Sequence, residues 1–352
     1  TSNYEKAAKA FNEAVILDEV RPEYRVNLGR CLYRAARNAQ RTLGRLDERQ
    51  QESVREAEKQ LLKVRETAAN TKDGAEACEW LGLIYRYLKP DLTRAEQYLG
   101  EAVAQAKVSS PQGMWPIVCD EWMQVAWSRY AADTKNTAAL RQCRERAEML
   151  LRATKDGHVN AARYLGLTYQ YENKPKEAVE AYGRALPELE KAGPEHLPLL
   201  LERVTLYLNS QWNNILRPDF QGTVIPEADR AIAIAKGMAN DRDTQAEALG
   251  LAGRAYSAAA GLEKDDSKKL VLREEARDRL QEALKKAPNH KERGRWQGML
   301  AYQLMILRQD PQYSAQKADY RERARTLLDE AIRNSPDKEF RNQCEDWRDE
   351  LK

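Results

Sequence analysis

An all-α solenoid of stacked helical hairpins is the fold class that this 352-residue sequence predicts, and three observations predict it. Charged residues make up 32%, Phe occurs only three times, and the helix formers Ala, Leu, Glu, Arg and Lys dominate, which disfavours strands. An apolar triplet, mostly small–large–small, recurs eight times at the helical spacing i, i+4, i+7. Ahead of most triplets a second pattern sets Gly or Ala beside large apolar residues on one helical face, so each couple reads as a hairpin. Stacked hairpins share one continuous core. The expectation is therefore a single body over residues 1–352 and not the two or three domains that length alone suggests.

Residues 4–18 already carry the triplet, as Ala7, Phe11 and Ala14, with no first helix ahead of them. The chain is thus expected to open in mid-repeat, with Thr1 a cut end. The triplet returns at Ala57-Leu61-Val64, Ala95-Leu99-Ala102, Cys143-Ala147-Leu150, Ala178-Tyr182-Ala185, Ala228-Ile232-Ala235, Ala276-Leu280-Ala283 and Ala324-Leu328-Ala331. Successive first members lie 50, 38, 48, 35, 50, 48 and 48 residues apart, so the hairpins differ in arm or loop length. First helices are read at Leu28-Gly29-Leu32, Leu81-Gly82-Tyr85, Trp122 with Val125-Ala126, Leu165-Gly166-Tyr169, Ala252-Gly253-Tyr256 and Leu300-Ala301-Leu304, with a less clear one near Val204 to Leu208. Pro288 and Pro336 end their helices, because an interior proline would cost about 3 kcal/mol. The tetrapeptide TKDG at 71–74 and again at 154–157 is read as a turn just ahead of a first helix. Seven complete hairpins are expected over 21–334, with a terminal or capping helix over 337–352, where Phe340, Cys344, Trp347 and Leu351 form an apolar stripe.

The tightest pair runs from Asn160 to Leu186. Gly166 and Ala178 stand twelve residues apart, and Tyr169 and Tyr182 are expected to fill the space beside the two small residues. A larger residue at the glycine would overpack by about 1–3 kcal/mol. This pattern resembles the tetratricopeptide repeat, with a period longer and looser than that family's roughly 34 residues. The resemblance implies a superhelix whose first helices line a concave surface where partner peptides lie. It also places Arg30, Glu79, Arg86, Trp127, Arg163, Gln170 and Arg254 on that surface. The chaperone-binding members grip a C-terminal carboxylate with Lys and Asn. Here Val26 with Arg30, Glu79 with Leu83, and Arg163 with Leu167 stand in those places, a departure from the clamp.

Two further stretches stand out. Arg30, Arg34, Arg37, Arg41 and Arg45 fall within an arc of about 80° at about 100° per residue. They form either a solvated face or a dock for an acidic protein segment or phosphates, for which the guanidinium fork is suited. The insertion at 209–226 holds Trp212, Arg217 and Phe220, which either anchor a partner or plug the core under a long loop.

Lys plus Arg at 58 against Asp plus Glu at 55 leave a net charge of +3, which advertises no general nucleic-acid or membrane surface. Five cysteines without a CxxC pair read as reduced core thiols in a cytoplasmic protein. His158, His196 and His290 fall at hairpin junctions with no metal or nucleophile motif around them, so neither a cofactor nor catalysis is expected. The leading expectation is a non-catalytic protein-interaction scaffold that binds a partner segment, an acidic one among the candidates. Its rivals are a regulatory or sensor region of a larger enzyme, and nucleic-acid or phosphate binding along the Arg30–Arg45 face.

Overall fold

In the computed structural model the described residues are 3–209, 211–238 and 241–351, and they form helices and turns with no strand among them. The chain divides into two compact units, Thr1–Thr168 and Tyr169–Lys352. The first unit holds α1 (Asn3–Leu17), α2 (Pro22–Leu43), α3 (Glu48–Thr67), α4 (Lys72–Tyr87), α5 (Leu92–Ser109), α6 (Met114–Ala132), α7 (Thr137–Ala153) and most of α8 (Val159–Tyr171). Within it α2/α3, α4/α5 and α6/α7 are helical hairpins, each packed on the next, and α1 packs on α2. The second unit holds the end of α8 and then α9 (Pro175–Arg184), α10 (Leu197–Tyr207), α11 (Asn213–Leu216), α12 (Ile225–Lys236), α13 (Arg242–Leu262) and α14 (Asp266–Lys286). It continues through α15 (Arg293–Leu307), α16 (Lys317–Asn334) and α17 (Lys338–Asp349). Its hairpins are α10/α12, α13/α14 and α15/α16, and α17 covers the side of α15 and α16.

The packing code is built as a glycine-on-leucine contact. A β-carbon added at Gly29 would lie 2.6 Å from Leu61 Cγ, one at Gly82 2.5 Å from Leu99 Cγ, and one at Gly253 2.6 Å from Leu280 Cγ. Each leucine is the middle member of its triplet and is fully buried. The residue that fills the space over the glycine in these three hairpins is therefore leucine. Burying such a side chain contributes about 1.5–3 kcal/mol, and the missing methyl lets the two backbones close on it. Gly166 and Tyr182, which were expected to show the same contact, fall in different units.

Helix starts follow from their caps. The Asp47 carboxylate accepts from the Gln50 amide while the Gln50 side chain accepts from the Asp47 amide, a reciprocal capping box. Asp91, Asn136, Asp241, Asp265 and Asp337 cap α5, α7, α13, α14 and α17 in the same position. Pro288 and Pro336 stand just past the ends of α14 and α16.

The first TKDG segment differs from expectation by running into its helix, while the second is a turn just ahead of α8 as expected. At the first, Asn70 takes the left-handed conformation (φ 62°), so Thr71 is free to cap α4 and Lys72, Asp73 and Gly74 form its first turn. At the second, Thr154 closes α7, and Lys155 and Asp156 themselves turn left-handed (φ 52° and 64°) before α8 begins. What decides is whether another residue has already made the left-handed turn.

All five cysteines are free and buried. Cys143 occupies the small-residue place in α7 at 0% exposure, and burial pushes its thiol up to about 12. No helix among the described residues is long and apolar enough to cross a membrane.

Candidate interaction grooves

In the first unit the first helices of the hairpins are α2, α4 and α6, followed by α8. The arginine row on α2 splits according to what lies beside it. Arg30 donates to Asn27 Oδ1 at 2.5 Å, Arg34 is exposed and lies over the rings of Tyr4 and Trp80, and Arg37 donates to Gln40 Oε1 at 2.6 Å with its guanidinium 4.3 Å from the Tyr87 ring centre. Arg41 and Arg45, a turn or more further along, are exposed. Tyr87 also carries Arg86 on its ring at 4.7 Å, and Arg86 is ion-paired with Glu121 and donates to Gln124 Oε1 at 3.0 Å. On α6 the Trp127 ring sits 5.7 Å from Tyr164 of α8, next to Arg163, both partly buried. The cations on these helices are thus largely engaged by neighbouring rings, amides and carboxylates.

Glu79 on α4 is the exception. It makes no hydrogen bond or ion pair with any described residue, and its carboxyl is pushed up to about 7 by burial, then by Glu76 and Glu121, against the pull of Arg30 and Arg34. It titrates near neutrality because it is wrapped in protein without a fixed donor.

In the second unit Gln170 donates to the Tyr182 hydroxyl at 2.7 Å and so ties the last turn of α8 to α9. The 209–226 insertion is a short helix, α11, followed by a turn of π-helix at Phe220–Val224 that runs into α12. Phe220 is a core residue and offers no surface: it is 7% exposed and clusters with Val224, Tyr207 and Ala228. Trp212 is partly buried, with its indole N–H donating to Asn173 Oδ1 at 2.9 Å, and Arg217 is exposed in a left-handed backbone conformation (φ 45°). Residue 210 within this insertion lies outside the described residues.

Here α10, α13, α15 and α17 line a groove of about 760 Å³. Thr205, Arg254, Arg295, Met299, Phe340 and Gln343 all face it. Arg295 is committed within the protein, at 2.8 Å to Asp337 and 3.8 Å to Glu292, with its guanidinium over the Phe340 ring. Arg254 is not: no described residue hydrogen-bonds or ion-pairs with it. Burial, and then Arg295, bring its pKa down to about 10, against the pull of Glu292. Sequence reasoning found Arg254 but missed Arg295, Met299 and Phe340. A hydrophobic stripe on the last helix was legible, yet nothing in the spacing said which first helices would converge beside Arg254.

The histidines are occupied with backbone work. Nδ1 of His158, His196 and His290 accepts the amide of Ala161, Gly193 and Glu292 respectively, and the His290 ring stacks on Trp296 at 4.6 Å. Among the described residues no group of three or more His, Cys, Asp or Glu side chains comes together as a metal ion would need.

No protein-family model matches the chain, and no curated protein matches it in sequence. Among solved structures it is similar to a chain of the APC/C hetero-tetramer Cut9-Hcn1, at 14% identity over 99% of this chain and 53% of that one, with a TM-score of 0.49. It is also similar to yeast Tom70, at 15% identity over 99% of this chain and 58% of that one, TM-score 0.46. A third is the S. pombe nuclear import adaptor Nro1, at 13% identity over 93% of this chain and 100% of that one, TM-score 0.38. The chain spans little more than half the length of the first two.

Proposed function

We propose that this chain of tetratricopeptide-like hairpins is a non-catalytic protein-interaction module, and that each unit takes a segment of a partner protein against its first helices. The observation that supports this most is the open groove of the second unit, where partly buried apolar side chains, Met299 and Phe340, alternate with Thr205, Arg254 and Gln343. A pre-formed surface of that composition binds an extended or helical segment at little reorganisation cost. In the first unit the contact residues are Arg34, Arg41, Arg86, Trp127 and Arg163. Rings lie beside the Arg34 and Arg86 guanidinium groups, which suits these two to interface anchoring. The three histidines, each spent on a backbone amide, favour a binding role over a catalytic one. Five buried free thiols fit a reducing compartment such as the cytoplasm.

Panning a displayed peptide library on the full chain tests the reading. The selected peptides are expected to lose binding to Met299→Glu, or to the double variant Arg34→Glu/Arg37→Glu, and to keep it with Lys285→Glu on α14 as the control. Equal loss in all three, or no enrichment at all, would sink the groove assignment.

A further inference from the structure

We propose that the second-unit groove recognises a single side-chain carboxylate of the bound segment through Arg254, with the neighbouring apolar residue of that segment resting on Met299 and Phe340. This rests on the groove reading above and goes further, since it names the chemistry of the residue that is read.

Three features of the groove carry it. Arg254 is partly buried in the groove wall and is the lining cation with no hydrogen-bond or ion-pair partner among the described residues. A guanidinium partly withdrawn from water with no counter-charge in contact raises the free energy of the folded chain, so an incoming carboxylate relieves a cost already present, through two parallel N–H···O bonds. Arg295, the other cation in the groove, is already held by Asp337 and Glu292, so it adds no second free positive charge. Asp337 and Glu339 line the same groove. With Asp337 balanced by Arg295, the charge of Glu339 repels any further negative group, which limits the ligand to one carboxylate and disfavours an acidic run, a phosphate or a nucleic-acid backbone. The arrangement differs from a clamp on a chain terminus, because a single guanidinium stands where two or more free donors would be needed.

The test uses the full chain and immobilised, C-terminally amidated nonapeptides with randomised flanks and a fixed centre of Glu, Gln, phosphoserine or two adjacent Glu. A further arm has a Gln centre and a free C-terminal carboxylate. The Glu arm is expected to be retained about tenfold or more over the Gln arm, as a charge-assisted hydrogen bond requires. That advantage should vanish in Arg254→Gln and persist in Arg325→Gln on α16. The melting temperature of Arg254→Gln should be no lower than that of the natural chain, which separates lost recognition from lost folding. Equal retention of Glu and Gln arms that is abolished by Met299→Glu overturns the carboxylate assignment and leaves the groove reading standing. A Glu preference undiminished in Arg254→Gln, or a lead for the phosphoserine, double-Glu or free-terminus arm, also overturns it. Retention of no arm overturns the groove reading together with this one.

Discussion

Each unit sets an arginine among its helices, Arg146 buried and Arg254 partly buried, and the two are treated in opposite ways. In the first, Arg146 on α7 lies over the Trp122 ring at 3.5 Å, forms an ion pair with both oxygens of Glu96, and donates to the Trp122 carbonyl at 2.8 Å. In the second, Arg254 on α13 has none of these and faces an open groove. The first arginine holds α5, α6 and α7 together through its own protein. The second leaves its hydrogen-bonding capacity for something outside the chain. Burial of a charge is thus no guide to its role until its partners are counted.

Substitutions can break or sharpen that contrast. Arg146→Ala is expected to have the largest effect, a loss of about 3 kcal/mol in urea unfolding, because the buried guanidinium takes with it the Trp122 contacts and the close pair with Glu96, which keeps only the 3.9 Å contact with Arg129. A loss below about 1 kcal/mol would place Arg146 with Arg254 and erase the distinction. Next come Gly82→Ala and Gly253→Ala, whose new methyls meet Leu99 and Leu280 at 2.5 and 2.6 Å. Each should cost about 1–3 kcal/mol from overpacking, less up to about 1 kcal/mol regained in helix propensity. Similar losses at the two sites would show that the units differ in charge placement and share their packing.

Glu79 gives a smaller effect of opposite sign. Its carboxyl titrates at about 7 in the folded chain against the ordinary 4.5, so the folded state binds more protons between those values and stability falls as pH rises through them. Glu79→Gln is therefore expected to gain about 1–2 kcal/mol at pH 8 and nothing below pH 4.5, read from unfolding curves across pH. A flat difference would show that Glu79 is better solvated than its surroundings suggest. Smallest is Arg254→Met, for which the melting temperature should hold or rise by a few degrees, since an unpaired charge is removed and an apolar stem is kept.

The parts of the fold that sequence made legible are those fixed by local size. Gly29, Gly82 and Gly253 each meet the middle member of a triplet, because a helix repeats its faces every three to four residues and only a missing side chain admits a leucine there. The caps at Asp91 and Asp337 and the prolines past α14 and α16 are local in the same sense. Less legible was anything that depends on how far apart hairpins lie in sequence. Arg254 and Arg295 stand at different places in the repeat, since the recurring offset of 48 residues leads from Arg254 to Tyr302, so no fixed offset points from one to the other. The arginine row on α2 was visible as an arc. Its division into ring-backed and free members depends on Tyr4, Trp80 and Tyr87, which come from two other helices.

The most direct measurement is a double-mutant cycle between Arg254→Gln and the central Glu→Gln change in a peptide selected on the natural chain. A coupling of about 1.5–3 kcal/mol is expected, the range for a hydrogen bond to a charged group. Additive losses, with coupling near zero, would show that the carboxylate is bound elsewhere and that Arg254 is buried for some other reason.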